Sequence, residues 1–200
     1  MTTKILRLDS SVFGEQGSST RLSDALTEKL KGIYGEVTVV HRDLAGEPLP
    51  HFSVDVITAL QTEEPARTPE QIKLKALADE LIEELFTADI LIVAAPMYNF
   101  GIPSTLKAWI DYVARAGVSF RYTSSGSDGL VKGKTLYLVT TRGGIHKGQE
   151  TDGAVPFLQT VFRFFGITDI RTLYAEGLAL AQKDEQFSAA LASIDNLVAA

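Results

Sequence analysis

Three separate stretches of this 200-residue chain hold groups that could grip one ligand from three sides. In the first, Asp9 to Thr20, hydroxyls at Ser11, Ser18, Ser19 and Thr20 surround the start of a helical pattern, and Gly17 lets the backbone curl close. Unpaired N–H groups and the positive end of the helix dipole favour an anion there. An ordinary serine cap would draw on the same residue types. The stretch has no lysine, so neutral donors would hold the anion, which suits one terminal phosphate. In the second, Met97, Tyr98, Asn99 and Phe100 combine thioether, aromatic and amide surface suited to a flat, partly polar ring. In the third, Thr141-Arg142-Gly143-Gly144-Ile145-His146, paired glycines let backbone N–H groups approach a ring edge. Such donors stabilise negative charge that develops at that edge. His146 reads either as a general acid or as a hydrogen-bonding loop residue.

Each stretch needs an element that delivers it. Ile90 to Ala95 is apolar on both faces and reads as a central parallel strand ending at Pro96. Further strands are expected at Lys4–Leu8, Glu36–Val40, Thr135–Thr140 and Ile167–Tyr174. Helices are expected at Ser18–Leu30, Val54–Leu60, Thr68–Phe86, Pro103–Ala114, Val155–Phe165 and Lys183–Ala199. Thr68-Pro69-Glu70-Gln71 carries a capping box with proline in the first turn. Val118–Tyr122 alternates and reads as a short exposed strand, and Ser124–Gly133 as turns. Strands alternating with helices imply a three-layer α/β fold with one five-stranded parallel sheet, order 2-1-3-4-5, in a single domain over residues 1–200. In that order strands one, three and four are neighbours, so the three loops following them meet at one crevice beyond the sheet.

Composition narrows the function. Nineteen Lys and Arg against 25 Asp and Glu leave a formal net charge of -6, which argues against nucleic-acid binding. The absence of cysteine removes disulfides, thiolate metal sites and a thiol nucleophile. His41 and His51 show no ligand spacing, so no metal is expected. No stretch has the roughly 20 apolar residues of a membrane span, and a cytoplasmic protein is expected. Gly133-Lys134-Thr135 resembles the end of a P-loop, but Asp128 stands at its first glycine and a strand follows it. GxGxxG is absent, as is the aspartate that a phosphorylated regulator needs at the end of strand three.

With these stretches in view, the chain resembles the FMN-dependent NADH-azoreductases, a family that also reduces quinones, over essentially its whole length. The resemblance lies in Ala95-Pro96-Met97-Tyr98-Asn99-Phe100, in Ala114-Arg115-Ala116-Gly117-Val118-Ser119-Phe120-Arg121-Tyr122, in Thr141 to His146, and in Ser10-Ser11 and Arg21-Leu22-Ser23-Asp24. It implies a flavodoxin-like fold and a homodimer with one FMN per subunit at the interface. It implies cofactor contacts at Ser10, Ser11, Gly17, Ser18 and Ser19. Pro96, Met97, Tyr98, Asn99 and Phe100 would lie along the isoalloxazine, and Thr141, Arg142, Gly143 and Gly144 at its pyrimidine side. Phe120 would roof the partner's flavin. Phe162, otherwise a core residue, would line the acceptor pocket with Phe100, Phe120 and His146. Gly17 departs from the family, where a serine is frequent, and His51–Arg67 follows the pattern least. The implied reaction passes a hydride from NADH or NADPH to the flavin and then to a quinone or azo compound, with no side-chain acid or base required. The rival readings are a flavodoxin-type single-electron carrier and a regulatory domain that has lost its cofactor.

Overall fold

The computed structural model describes residues 2–199. Its strands are β1 Thr3–Asp9, β2 Val37–Asp43, β3 Ile90–Ala94, β4 Phe120–Thr123, β5 Gly126–Gly129, β6 Thr135–Thr141 and β7 Asp169–Ala175. Its helices are α1 Ser18–Tyr34, α2 Val54–Gln61, α3 Pro69–Thr87, α4 Ser104–Val113, α5 Val155–Phe165 and α6 Lys183–Ala199. The main sheet runs β2-β1-β3-β6-β7, with every neighbouring pair parallel. This is the expected order, with one addition. A β4–β5 hairpin stands outside the sheet and pairs only with itself.

β5 is Gly-Ser-Asp-Gly. It has no β-branched or apolar residue, so nothing in it signals a strand, and the reading of Ser124–Gly133 as turns missed it. α1 runs past Leu30 to Tyr34 and stops at Gly35, whose φ is 74°. β2 extends to Asp43 because it stays in register with β1 throughout, from Thr3 against Val37 to Asp9 against Asp43.

β3 is buried at all five positions because helices cover both faces of the sheet. On one face Leu22, Leu26 and Leu30 of α1 and Ile194 of α6 pack with Ile5, Ile92 and Val139. On the other, Leu81 and Leu85 of α3, Trp109 of α4 and Phe162 of α5 pack with Leu6, Leu91 and Leu138. The Thr68 capping box is present in full. No helix among the described residues is long and apolar enough to cross a membrane, and no described group of three or more His, Cys, Asp or Glu could hold a metal ion.

The hairpin is seated by glycine on glycine. A Cβ on Gly129 would lie 2.2 Å from the Gly166 nitrogen and 2.2 Å from the Phe165 carbonyl carbon, both backbone. Gly166 has a φ of 105° and closes α5. Gly129→Ala is expected to destabilise the fold by about 1–3 kcal/mol, the usual cost of overpacking. Gly32→Ala, at an open helical position, should instead stabilise it by about 0.4–1 kcal/mol. Denaturant midpoints of the two variants check both signs.

Candidate functional site

The order of the sheet sets the C-terminal ends of β1, β3 and β6 side by side, and hydrogen bonds tie their loops together. Tyr98 Oη accepts from the Val12 N–H at 3.2 Å, joining the first loop to the second. The Met97 N–H donates to the Thr141 carbonyl at 2.9 Å, joining the second to the third. Between them lies an open cleft of about 160 Å3, lined by Ser11, Ser18, Pro96, Met97, Tyr98, Thr141 and Gly143, with Phe13 and Leu178 at its sides. The structure thus gathers residues from all three predicted stretches around one concavity. Leu178, from the loop after β7, was not anticipated; nothing in an isolated leucine marks it.

The first loop is built for close backbone approach. A Cβ on Gly17 would meet Ser11 Oγ at 2.3 Å and the Gly14 carbonyl at 3.1 Å. Any side chain at 17 would therefore make Ser11 turn away or the turn open. The hydroxyls of Ser19 and Thr20, in the first turn of α1, are buried and have no hydrogen-bond partner among the described residues. Buried polar groups are rarely left so, and a phosphate held at this helix start would give them acceptors. Behind the loop, Arg7 is buried between Asp9, 2.7 Å away, and Asp24, 2.5 Å away. Burial opposes its charge, yet the two carboxylates prevail and hold the guanidinium above its ordinary range. Arg7 also donates to the Thr20 carbonyl at 3.2 Å, which steadies the start of α1.

Ser10 is a correction. Its hydroxyl donates to the Ala94 carbonyl at 2.6 Å and its side chain is buried. It braces β1 against β3 and does not face the cleft.

The second loop is strained. Asn99 and Phe100 both have positive φ, 50° and 67°, in a turn closed by reciprocal Tyr98–Gly101 backbone bonds of 3.0 Å. Asparagine tolerates that region; phenylalanine does so at a cost of about 1–3 kcal/mol. The turn leaves Phe100 57% exposed at the rim, edge-on to His146 at 5.8 Å. Gly153 backs it: a Cβ there would lie 2.4 Å from the Phe100 carbonyl oxygen. His146 Nδ1 is 2.9 Å from Thr151 Oγ1, which favours its reading as a hydrogen-bonding loop residue. Beyond this loop a larger cavity of about 500 Å3 is lined by His51, Phe52, Ile102, Lys107 and Phe157. The segment least legible by resemblance therefore walls a concavity next to Phe100.

Two aromatic assignments also need correction. Phe162 is fully buried, packed 6.4 Å from Trp109 and 6.1 Å from Phe165. It is core and reaches no cavity. Phe120 is 7% exposed, tilted against Phe164 at 4.3 Å and edge-on to Tyr122 at 5.5 Å in its own chain, so most of its ring is spent on its own core. The exposed aromatic of that hairpin is Tyr122, at 77%. Phe162 lies on the buried face of α5, and Phe120 is covered by Phe164 of the same helix, contacts set by packing.

Known proteins resemble this chain in sequence and fold. The Flavodoxin_2 family, described as flavodoxin-like fold, matches residues 3–198. A Burkholderia pseudomallei protein named FMN-dependent NADH:quinone oxidoreductase is 46% identical over 198 residues, covering 99% of each chain. An azoreductase crystal structure from Bacillus anthracis superposes with a TM-score of 0.87 at 30% identity, covering 98% of each chain. A second structure from that organism, an FMN-dependent NADH-azoreductase in complex with FMN, has a TM-score of 0.89 at 23% identity over 100% of this chain and 98% of its own, a likeness of fold.

Proposed function

The chain belongs to the Flavodoxin_2 family and, within it, to the FMN-dependent NADH:quinone oxidoreductases, and from that premise we propose how its residues divide the work. The reaction is a two-electron reduction of quinones and azo compounds, with NADH as donor and bound FMN as carrier. FMN supplies the hydride chemistry; the protein supplies grip, orientation and charge stabilisation. The observation that carries this reading is the single cleft bounded by the loops after β1, β3 and β6.

In this reading the N–H groups at the start of α1, with Ser11, Ser18, Ser19 and Thr20, hold the phosphate. Pro96, Met97 and Tyr98 form the wall along the ring system. The N–H groups of Gly143 and Gly144 meet its pyrimidine edge; among the described residues neither donates to a backbone carbonyl. Phe100 stands where a flat acceptor would stack, the favoured geometry for aromatic rings. No side-chain acid or base is assigned, and protons come from water.

Two copies pair so that the exposed face of α4 and the cavity at Phe52, Ile102 and Phe157 are covered. Tyr122 then takes the roofing role that the resemblance gave to Phe120. Residues 1–200 act as one domain, and use of the intracellular nicotinamide pool places the enzyme in the cytoplasm.

Steady-state oxidation of NADH by the FMN-loaded protein tests the reading. Quinone-dependent turnover with paired-electron stoichiometry and parallel double-reciprocal plots is expected. Turnover only with one-electron protein acceptors would favour the flavodoxin-type carrier.

A further inference from the structure

Arg142 lines the cleft, yet its side chain is 0% exposed. Its Nη2 donates to Asp152 Oδ1 at 2.9 Å. Its Nη1 lies 3.5 Å from Glu176 Oε1, an ion-pair distance without hydrogen-bond geometry. Nε and Nη1 have no hydrogen-bond partner among the described residues. Burying a charge with unused donors is expensive, so the guanidinium is not explained as a source of stability. Nor can it touch a ligand from a position without exposure. Its net field is small too: Arg142 and Lys147, whose Nζ lies 4.6 Å from the Tyr174 ring, formally balance Asp152 and Glu176.

Around the cluster, main-chain bonds fix the direction of the peptides. The Arg142 carbonyl accepts from the Leu178 N–H at 3.0 Å, the Gly143 carbonyl from Ala179 at 3.1 Å, and the Gly144 carbonyl from Gly177 at 2.9 Å. In a trans peptide the carbonyl and the next N–H point in opposite directions. Fixing those carbonyls on the 177–179 segment therefore turns the N–H groups of Gly143, Gly144 and Ile145 the other way. The two segments are pinned to each other around Arg142. Its own N–H donates to the Ala175 carbonyl at 2.9 Å. Glu176 Oε1 accepts from the N–H groups of His146 and Lys147 at 2.7 and 2.8 Å. Asp152 Oδ1 accepts from the Val155 N–H at 3.2 Å at the start of α5. Tyr174 lies beneath, its ring 5.1 Å from the guanidinium. Burial first, then Asp152, push its phenol above the ordinary range, so it stays neutral.

We propose that Arg142 is a positioning residue. Clamped by Asp152 and Glu176, it locks the peptides of residues 142–145 against the 175–179 segment, so that the Gly143 and Gly144 N–H groups stand fixed at the flavin's pyrimidine edge and favour its reduced form. The inference rests on the flavin reading above.

The test compares the wild-type holoenzyme with Arg142→Gln, Arg142→Lys and Glu176→Ala, reading the two-electron reduction potential of bound FMN. Arg142→Gln should cut the preference for reduced over oxidised FMN at least tenfold, about 30 mV more negative for a two-electron couple. Arg142→Lys, which keeps the charge but not the planar fork, should fall between. Glu176→Ala should shift in the same direction as Arg142→Gln. A purely electrostatic role predicts the opposite sign for Glu176→Ala, because a carboxylate is removed, and that result would overturn the proposal, as would an unchanged potential in Arg142→Gln. Should Arg142→Gln fail to fold, Glu176→Ala decides the matter by its sign. In the FMN-free proteins, hydrogen exchange across residues 141–148 should quicken at least tenfold in both variants; unchanged exchange counts against the clamp whether or not FMN binds. Failure of the wild-type protein to take up FMN would instead strike at the flavin reading.

Discussion

Phe162→Ala is expected to cost about 3–5 kcal/mol of folding stability, the range for emptying a buried aromatic site. The ring is fully buried and packs against Trp109 and Phe165, between α4 and α5. Flanking side chains of such a core relax only partly, so a cavity adds to the lost transfer free energy. Chemical denaturation of the variant should show a much lower midpoint with an unchanged slope. FMN affinity of the folded fraction should not change. A variant of wild-type stability with a raised Michaelis constant for quinone would restore the pocket role that the resemblance implied.

The second large effect belongs to Gly17→Ala. The new methyl group would sit 2.3 Å from Ser11 Oγ and 3.1 Å from the Gly14 carbonyl. Either the serine turns away or the turn opens, and both disturb the phosphate grip. A hydrogen bond to a charged group contributes about 1.5–3 kcal/mol, so losing one should weaken FMN binding roughly 10- to 100-fold. Riboflavin, which lacks the phosphate, should bind the variant and the wild type alike. Equal losses for both flavins would mean that the turn supports the ring and not the phosphate.

The fold was legible because its signals are local and agree with one another. The apolar run at Ile90–Ala94, the capping box at Thr68 and the alternation of strand with helix each implied the same sheet, and β2-β1-β3-β6-β7 matches the expected order. The gathering of three distant loops followed from that order alone. What escaped the reading is set by tertiary contact. β5 exists because Gly129 fits against Gly166, a relation no local pattern encodes. The exchange of Phe120 for Tyr122 turned on which ring of a four-residue strand packs against Phe164 of α5. Ser10 looked like its neighbour Ser11 until the Ala94 carbonyl claimed its hydroxyl. Asp152 and Glu176 lie 10 and 34 positions beyond Arg142 (152 − 142 and 176 − 142); the packing of β6 beside β7 brings Glu176 to it, and Asp152 reaches it from the loop before α5.

The most direct measurement is an equilibrium titration of the flavin-free protein with FMN, followed by flavin fluorescence and visible absorption, with anaerobic NADH added at the end point. A cleft formed by the loops after β1, β3 and β6 predicts saturation at one FMN per chain, a perturbed flavin spectrum, bleaching by NADH and recovery on adding quinone. FMN that remains free in solution, with unperturbed fluorescence at every protein concentration, would contradict it.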